Sequence, residues 1–158
     1  MAVTHFYNWI PLFLFLIALI FIKYQKKDGL TILLAYTVML LLLGLFIFFV
    51  KEYIGRVRPN NDLAMIVLGR ILQAPEGYSF FSGHAASSFS IAALAVLLLK
   101  GRFKWIYWVF FWPILISFSR VYLGVHYLLD VIVGAFVGVM FAYGVNALLQ
   151  RVIVHDLG

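Results

Sequence analysis

Residues 30–50 read LTILLAYTVMLLLLGLFIFFV, 21 positions without a charged side chain. A helix needs roughly 20 mostly apolar residues to cross the hydrocarbon core of a bilayer, so this stretch predicts a membrane span. Working outward, residues 6–22, 85–99, 103–119 and 126–149 are also apolar enough to be spans. The 85–99 segment is short unless it begins near Ser82, and 103–119 contains Lys104 and Pro113. The expected fold class is all-α, a polytopic transmembrane helix bundle of about five spans in one domain over 1–158. Composition agrees. The chain is 65% hydrophobic and 11% charged, against about 45–50% and about 25% in soluble domains. A single buried core does not absorb that excess, which argues against a water-soluble globule, a disordered chain or a repeat solenoid. Cysteine is absent, so there is no disulfide framework, thiolate nucleophile or cysteine metal site.

The formal charge is +6, from 12 Lys and Arg against 6 Asp and Glu. The basic residues cluster between apolar runs, which points to membrane surfaces and anionic lipids and not to nucleic acid. With five spans, Lys23, Lys26, Lys27, Lys100, Arg102, Lys104 and Arg151 fall on one side, cytoplasmic by the positive-inside rule. The N-terminus is then outside and the C-terminus inside. Basic residues follow the first apolar segment and do not precede it, so it reads as a span or signal anchor, not a cleaved signal. Lys51, Arg56, Arg58, Arg70 and Arg120 occupy the outer side. Trp9, Tyr53, Trp105, Tyr107 and Trp108 suit an interfacial aromatic belt. Gly134, Gly138 and Ala142, four apart, let helix backbones approach closely. Leu63, Ile66, Val67 and Leu72 suggest a short amphipathic helix on the membrane surface between Pro59 and Ser82.

Ionisable groups at spans are expensive and so are candidates for function. The first cluster is Lys51-Glu52-Tyr53-Ile54-Gly55-Arg56-Val57-Arg58-Pro59. If the second span continues, Lys51 and Arg58 lie two turns apart on one face, and Pro59 ends the helix or forces a turn. The second is Phe81-Ser82-Gly83-His84, where serine suits an N-cap and the helix terminus is a natural anion site. The third runs from Ser119-Arg120 through Gly124 to His126 and Asp130. His126 and Asp130 are i and i+4, so they stack on a helix. A carboxylate accepting one ring N–H leaves the other nitrogen free to attack or to take a proton. Gly124 is read as a break, with Tyr122–Val125 a tight connection that folds Arg120 back towards His126. Each cluster alone also fits a bland reading: snorkelling cations, an ordinary cap, a structural His–Asp pair. Together the three place cations, a helix N-terminus and two histidines at one membrane face, which is what phosphoryl transfer requires. No carboxylate cluster is present to hold magnesium or zinc, so metal-independent chemistry with no cofactor is expected.

The spacing Lys51-x6-Arg58-Pro59, Ser82-Gly83-His84 and Ser119-Arg120-x5-His126-x3-Asp130 resembles the three-part signature of the type 2 phosphatidic acid phosphatase family. The site of that family in turn resembles those of vanadium haloperoxidases and glucose-6-phosphatase. The signature covers 51–130, the motif-bearing core of an integral membrane phosphatase domain. The resemblance implies that His126 is the nucleophile forming a phosphohistidine and that Asp130 orients it. It implies His84 as general acid, and Lys51, Arg58, Ser82, Gly83 and Arg120 as the phosphate-binding set. Two features depart from the family pattern. Phe81 stands where a proline is usual, and five spans are counted where six are common, the absent one being N-terminal.

The leading expectation is hydrolysis of a phosphate from a membrane phospholipid or glycolipid, lipid A 1-phosphate or phosphatidylglycerol phosphate. The setting is the outer face of a bacterial inner membrane. Undecaprenyl pyrophosphate hydrolysis and lipid phosphotransfer use the same site. An inactive lipid-binding scaffold or small transporter is the non-enzymatic alternative, although transporters place polar elements near the midplane and here they gather at one face. Arg56 and Arg70 are read either as contacts to a second phosphate or as solvated surface charges. His5 and His155 are assigned no function.

Overall fold

The computed structural model describes residues 6–61 and 75–155. Among these described residues five α-helices follow one another: α1 (Ile10–Lys23), α2 (Lys26–Ile54), α3 (Gly83–Leu99), α4 (Phe111–Tyr122) and α5 (Leu128–His155). The described residues contain no strand. Two helices, α2 and α5, are long and apolar enough to cross a membrane, and α1 and α3 are shorter apolar helices. At 1.5 Å per residue α2 is about 43 Å long, beyond the ~30 Å hydrocarbon core. The expected span over 103–119 is built in two pieces: a 3₁₀ segment, Lys104–Phe110, runs into α4, with Pro113 in the first turn of α4, where its missing N–H costs little. The expected amphipathic helix over 63–72, Arg70 and His5 lie outside the described residues.

Helix α3 is the central element. Ala85, Ala86, Ala92, Ala93, Leu94, Leu98 and Leu99 are all buried, and small residues in its first turns let α5 come close. A Cβ on Gly134 would lie 2.5 Å from the Ser82 carbonyl oxygen, and one on Gly138 would overlap the Ala86 carbonyl. Ala142 continues the same seam fully buried. The small-residue stripe is therefore a packing feature, and it sets the register between the starts of α3 and α5. Outward-facing Leu34, Leu41, Phe48, Phe49, Phe136 and Met140 remain exposed. Such an apolar surface is expected in lipid and would be a liability in water.

The connectors divide cleanly between the two ends. Lys23 Nζ and Tyr24 Oη both donate to the Leu98 carbonyl, so the α1–α2 turn and the end of α3 meet at one end. The end of α2, the start of α3 and the start of α5 lie at the other. Phe81, in the usual proline position, is 2% exposed. It packs on Phe46 with ring centroids 6.1 Å apart, in a cluster with Leu43 and Ala86. The Phe80–Phe81 peptide bond is cis.

Candidate active site

Helix α2 stops before Arg58. Gly55 adopts the left-handed conformation with φ 63° and returns its N–H to the Lys51 carbonyl, a common helix terminator. Lys51 and Arg58 thus do not share the helix face that their spacing suggested; Gly55 ends α2, and Pro59 takes the turn expected of it, starting the 3₁₀ segment Pro59–Asn61. Arg58 reaches the site from the connector. Its Nε donates to the Gly77 carbonyl at 3.0 Å and its Nη1 to the Val125 carbonyl at 3.2 Å. Lys51 Nζ donates to the carbonyls of Tyr78 at 2.6 Å and Ser79 at 3.3 Å. These two cations therefore tie the segment before α3 to the end of α2 and to the α4–α5 connector.

The expected fold-back after Arg120 is present. Gly124 has φ 68°, Val125 N–H donates to the Arg120 carbonyl, and α5 begins at Leu128. His126 consequently lies in the connector, not on the helix with Asp130. Its Nδ1 is 3.7 Å from Asp130 Oδ2, too long for a hydrogen bond. The hydroxyl of Ser79 stands between them, donating to Asp130 Oδ2 and lying 3.3 Å from His126 Nδ1. A serine hydroxyl has one proton. With that proton on the carboxylate, the oxygen accepts, and Nδ1 is the ring nitrogen that carries hydrogen. Nε2 is left with its lone pair, 3.5 Å from Arg58 Nη1. Burial, with His126 4% exposed, holds the imidazole below its ordinary pKa against the opposing pull of Asp130, and Arg58 and Lys51 lower it further. The ring is therefore neutral near pH 7, the form that can attack an electrophile.

Asp130 is fully buried and takes hydrogen bonds from Arg56 Nη1 at 2.8 Å, the Ser79 hydroxyl and the Tyr127 amide at 3.0 Å. Sequence reasoning missed Ser79 entirely. A serine three positions before an N-cap has no local signal that separates it from an ordinary loop residue. Arg56 pairs with Asp130, so it is not a free surface charge.

Arg120, in the last turn of α4, is 6% exposed, and its Nε has no hydrogen-bond partner among the described residues. A buried cation without an acceptor is costly and marks a place for an anion. Arg120, His126, Arg58 and Lys51 all act electrostatically on His84, so five sequence-predicted residues share one neighbourhood. His84 is exposed in the first turn of α3. It opens onto a cavity of about 520 Å³ whose other walls include Gly83, Ser87, Ser88, Trp112 and Ile116. Ser82 is buried; its hydroxyl caps Ala85 N–H at 3.4 Å and its amide donates to the Asp130 carbonyl at 2.9 Å. Among the described residues no three His, Cys, Asp or Glu side chains converge to hold a metal ion.

The family model described as the PAP2 superfamily matches residues 32–153. The lipid A 4'-phosphatase of Bacteroides thetaiotaomicron is 38% identical over 96 residues, covering 57% of this chain and 41% of that protein. The undecaprenyl-diphosphatase of Sulfolobus acidocaldarius is 36% identical over 133 residues, covering 84% and 59%. The chain thus spans about half the length of the curated relatives it matches. Among solved structures, a transmembrane PAP2 type phosphatidylglycerolphosphate phosphatase from Bacillus subtilis superposes with a TM-score of 0.68 at 26% identity. That likeness covers 93% of this chain and 71% of the other.

Proposed function

The chain belongs to the PAP2 superfamily, and on that premise we propose that it is a metal-independent membrane lipid phosphatase working through a phosphohistidine. The observation that carries the reading is the pairing of a buried, neutral His126, its unprotonated Nε2 facing Arg58 Nη1 at 3.5 Å, with Arg120 Nε lacking an acceptor among the described residues. Nε2 attacks phosphorus, and the bond from phosphorus to the lipid oxygen breaks. His84 gives that oxygen a proton. Lys51, Arg58 and Arg120, with Ser82 and the Gly83 amide, hold the remaining oxygens as charge develops on them. A bound phosphate offsets the cations around His84 and so favours its protonated form. Water then attacks the phosphohistidine, His84 takes a proton from it, and the P–N electron pair returns to Nε2.

The proposed substrates are envelope lipids carrying a phosphate monoester, a lipid A phosphate or phosphatidylglycerol phosphate. Support comes from relatives named for those activities. The 36% identical undecaprenyl-diphosphatase favours a second reading, hydrolysis of a lipid diphosphate. The two differ in leaving group. A monoester releases a poor alkoxide and depends strongly on His84; a diphosphate releases a phosphate and depends on it less. We place the site at the outer face of a bacterial inner membrane. The support is the positive-inside rule applied to Lys23, Lys26, Lys27, Lys100, Arg102 and Lys104, which belong to connectors at the opposite end.

Phosphate release from purified lipids, measured for the wild type and for His126→Ala and His84→Ala in detergent with and without chelator, tests the proposal. Wild-type turnover unaffected by chelator and lost in the His126 variant is expected. Substantial release by His126→Ala, or wild-type activity abolished by chelator, contradicts it.

A further inference from the structure

We infer that Arg56 is a positioning residue for the proposed reaction, holding the Asp130 carboxylate back from His126 with the Ser79 hydroxyl between them. The inference rests on the phosphatase reading and concerns a residue outside the three-part signature. Arg56 touches both ends of the relay. Its carbonyl accepts from the Ser79 amide at 2.8 Å, and its guanidinium donates to Asp130 Oδ1 at 2.8 Å. The guanidinium also lies over the Tyr127 ring at 4.2 Å from the centroid, which fixes its plane. The chain reversal at Gly55 delivers it there, because α2 ends at Ile54, two residues before Arg56.

The consequence is electrostatic. Arg56 is the only cation hydrogen-bonded to Asp130 among the described residues, the other donors being the neutral Ser79 hydroxyl and Tyr127 amide. With Arg56 in place, the carboxylate is anchored away from the ring, and His126 stays neutral. Without that charge, the buried carboxylate has His126 as an alternative partner, 3.7 Å away. Other groups facing the ring are Arg58 at 3.5 Å, with Lys51 and His84 acting at longer range. All three, when charged, oppose protonation of the ring, so loss of Arg56 shifts the balance towards imidazolium.

Loss of Arg56 therefore moves the acidic limb of the kcat–pH profile upward. Arg56→Gln is expected to raise it by on the order of one pH unit, with kcat at neutral pH reduced roughly 10-fold and KM unchanged. Arg56→Lys should restore the wild-type limb. Titration of the His126 ring by NMR, on the same detergent samples, reads the coupling independently of turnover. A ring pKa raised in Arg56→Gln and restored in Arg56→Lys supports the inference even if the wild type releases no phosphate, a result that would sink only the phosphatase reading. An unmoved ring pKa in a folded Arg56→Gln protein overturns it. So does an increase in KM confined to a lipid diphosphate, which would make Arg56 a substrate contact.

Discussion

At the end of the bundle away from His126, Lys23 and Tyr24 both donate to the Leu98 carbonyl. At the His126 end, the buried Arg120 Nε meets no acceptor among the described residues. Both ends are basic. The difference lies in what the cations touch. Lys23 serves the fold, capping a helix whose last carbonyls would otherwise lack partners. Arg120 Nε is buried without an acceptor among the described residues, an arrangement that an anion would satisfy. Charge count alone does not distinguish the two ends; burial together with an unpaired donor does.

Four substitutions break or sharpen that contrast. His126→Ala should have the largest effect, reducing kcat by roughly 10³-fold or more, since no other group offers an equivalent nucleophile; initial rates at saturating lipid read this. Arg120→Met should lower kcat/KM about 10²-fold. It should also raise the thermal midpoint in detergent, because an apolar side chain replaces a buried unpaired charge; a fall in both quantities would make Arg120 structural. Gly138→Val should cost about 3 kcal/mol in stability, because the added Cβ overlaps the Ala86 carbonyl, with activity lost only as the protein unfolds. Lys23→Met should be the mildest, about 1 kcal/mol or less, since Tyr24 still donates to Leu98 at 2.9 Å. Its turnover should match the wild type.

The apolar runs and the small-residue stripe were legible because lipid imposes length and close packing imposes size, and both are written locally. The fold-back at Gly124 was readable for the same reason: a glycine between two chemically loaded stretches has few other uses. What escaped was set by chain reversal. Lys51 and Arg58 suggested one helix face, but Gly55 turns the backbone and brings Arg58 in from the connector. His126 and Asp130 suggested a direct pair at helical spacing. Once α5 begins at Leu128, that spacing no longer fixes their distance, and Ser79, 47 residues from His126, fills the gap. Arg56 was misread because its partner is 74 residues away. Contacts of this kind depend on where three connectors meet, which periodicity does not encode.

The central claim is that His126 Nε2 takes the phosphoryl group. Rapid quenching of the wild-type protein with a radiolabelled lipid phosphate, followed by peptide mapping under alkaline conditions, addresses it most directly. An acid-labile, alkali-stable label on the peptide bearing His126, absent from His126→Ala, is the predicted result. Turnover with label on a different residue, or full turnover by the His126→Ala protein, would contradict the account.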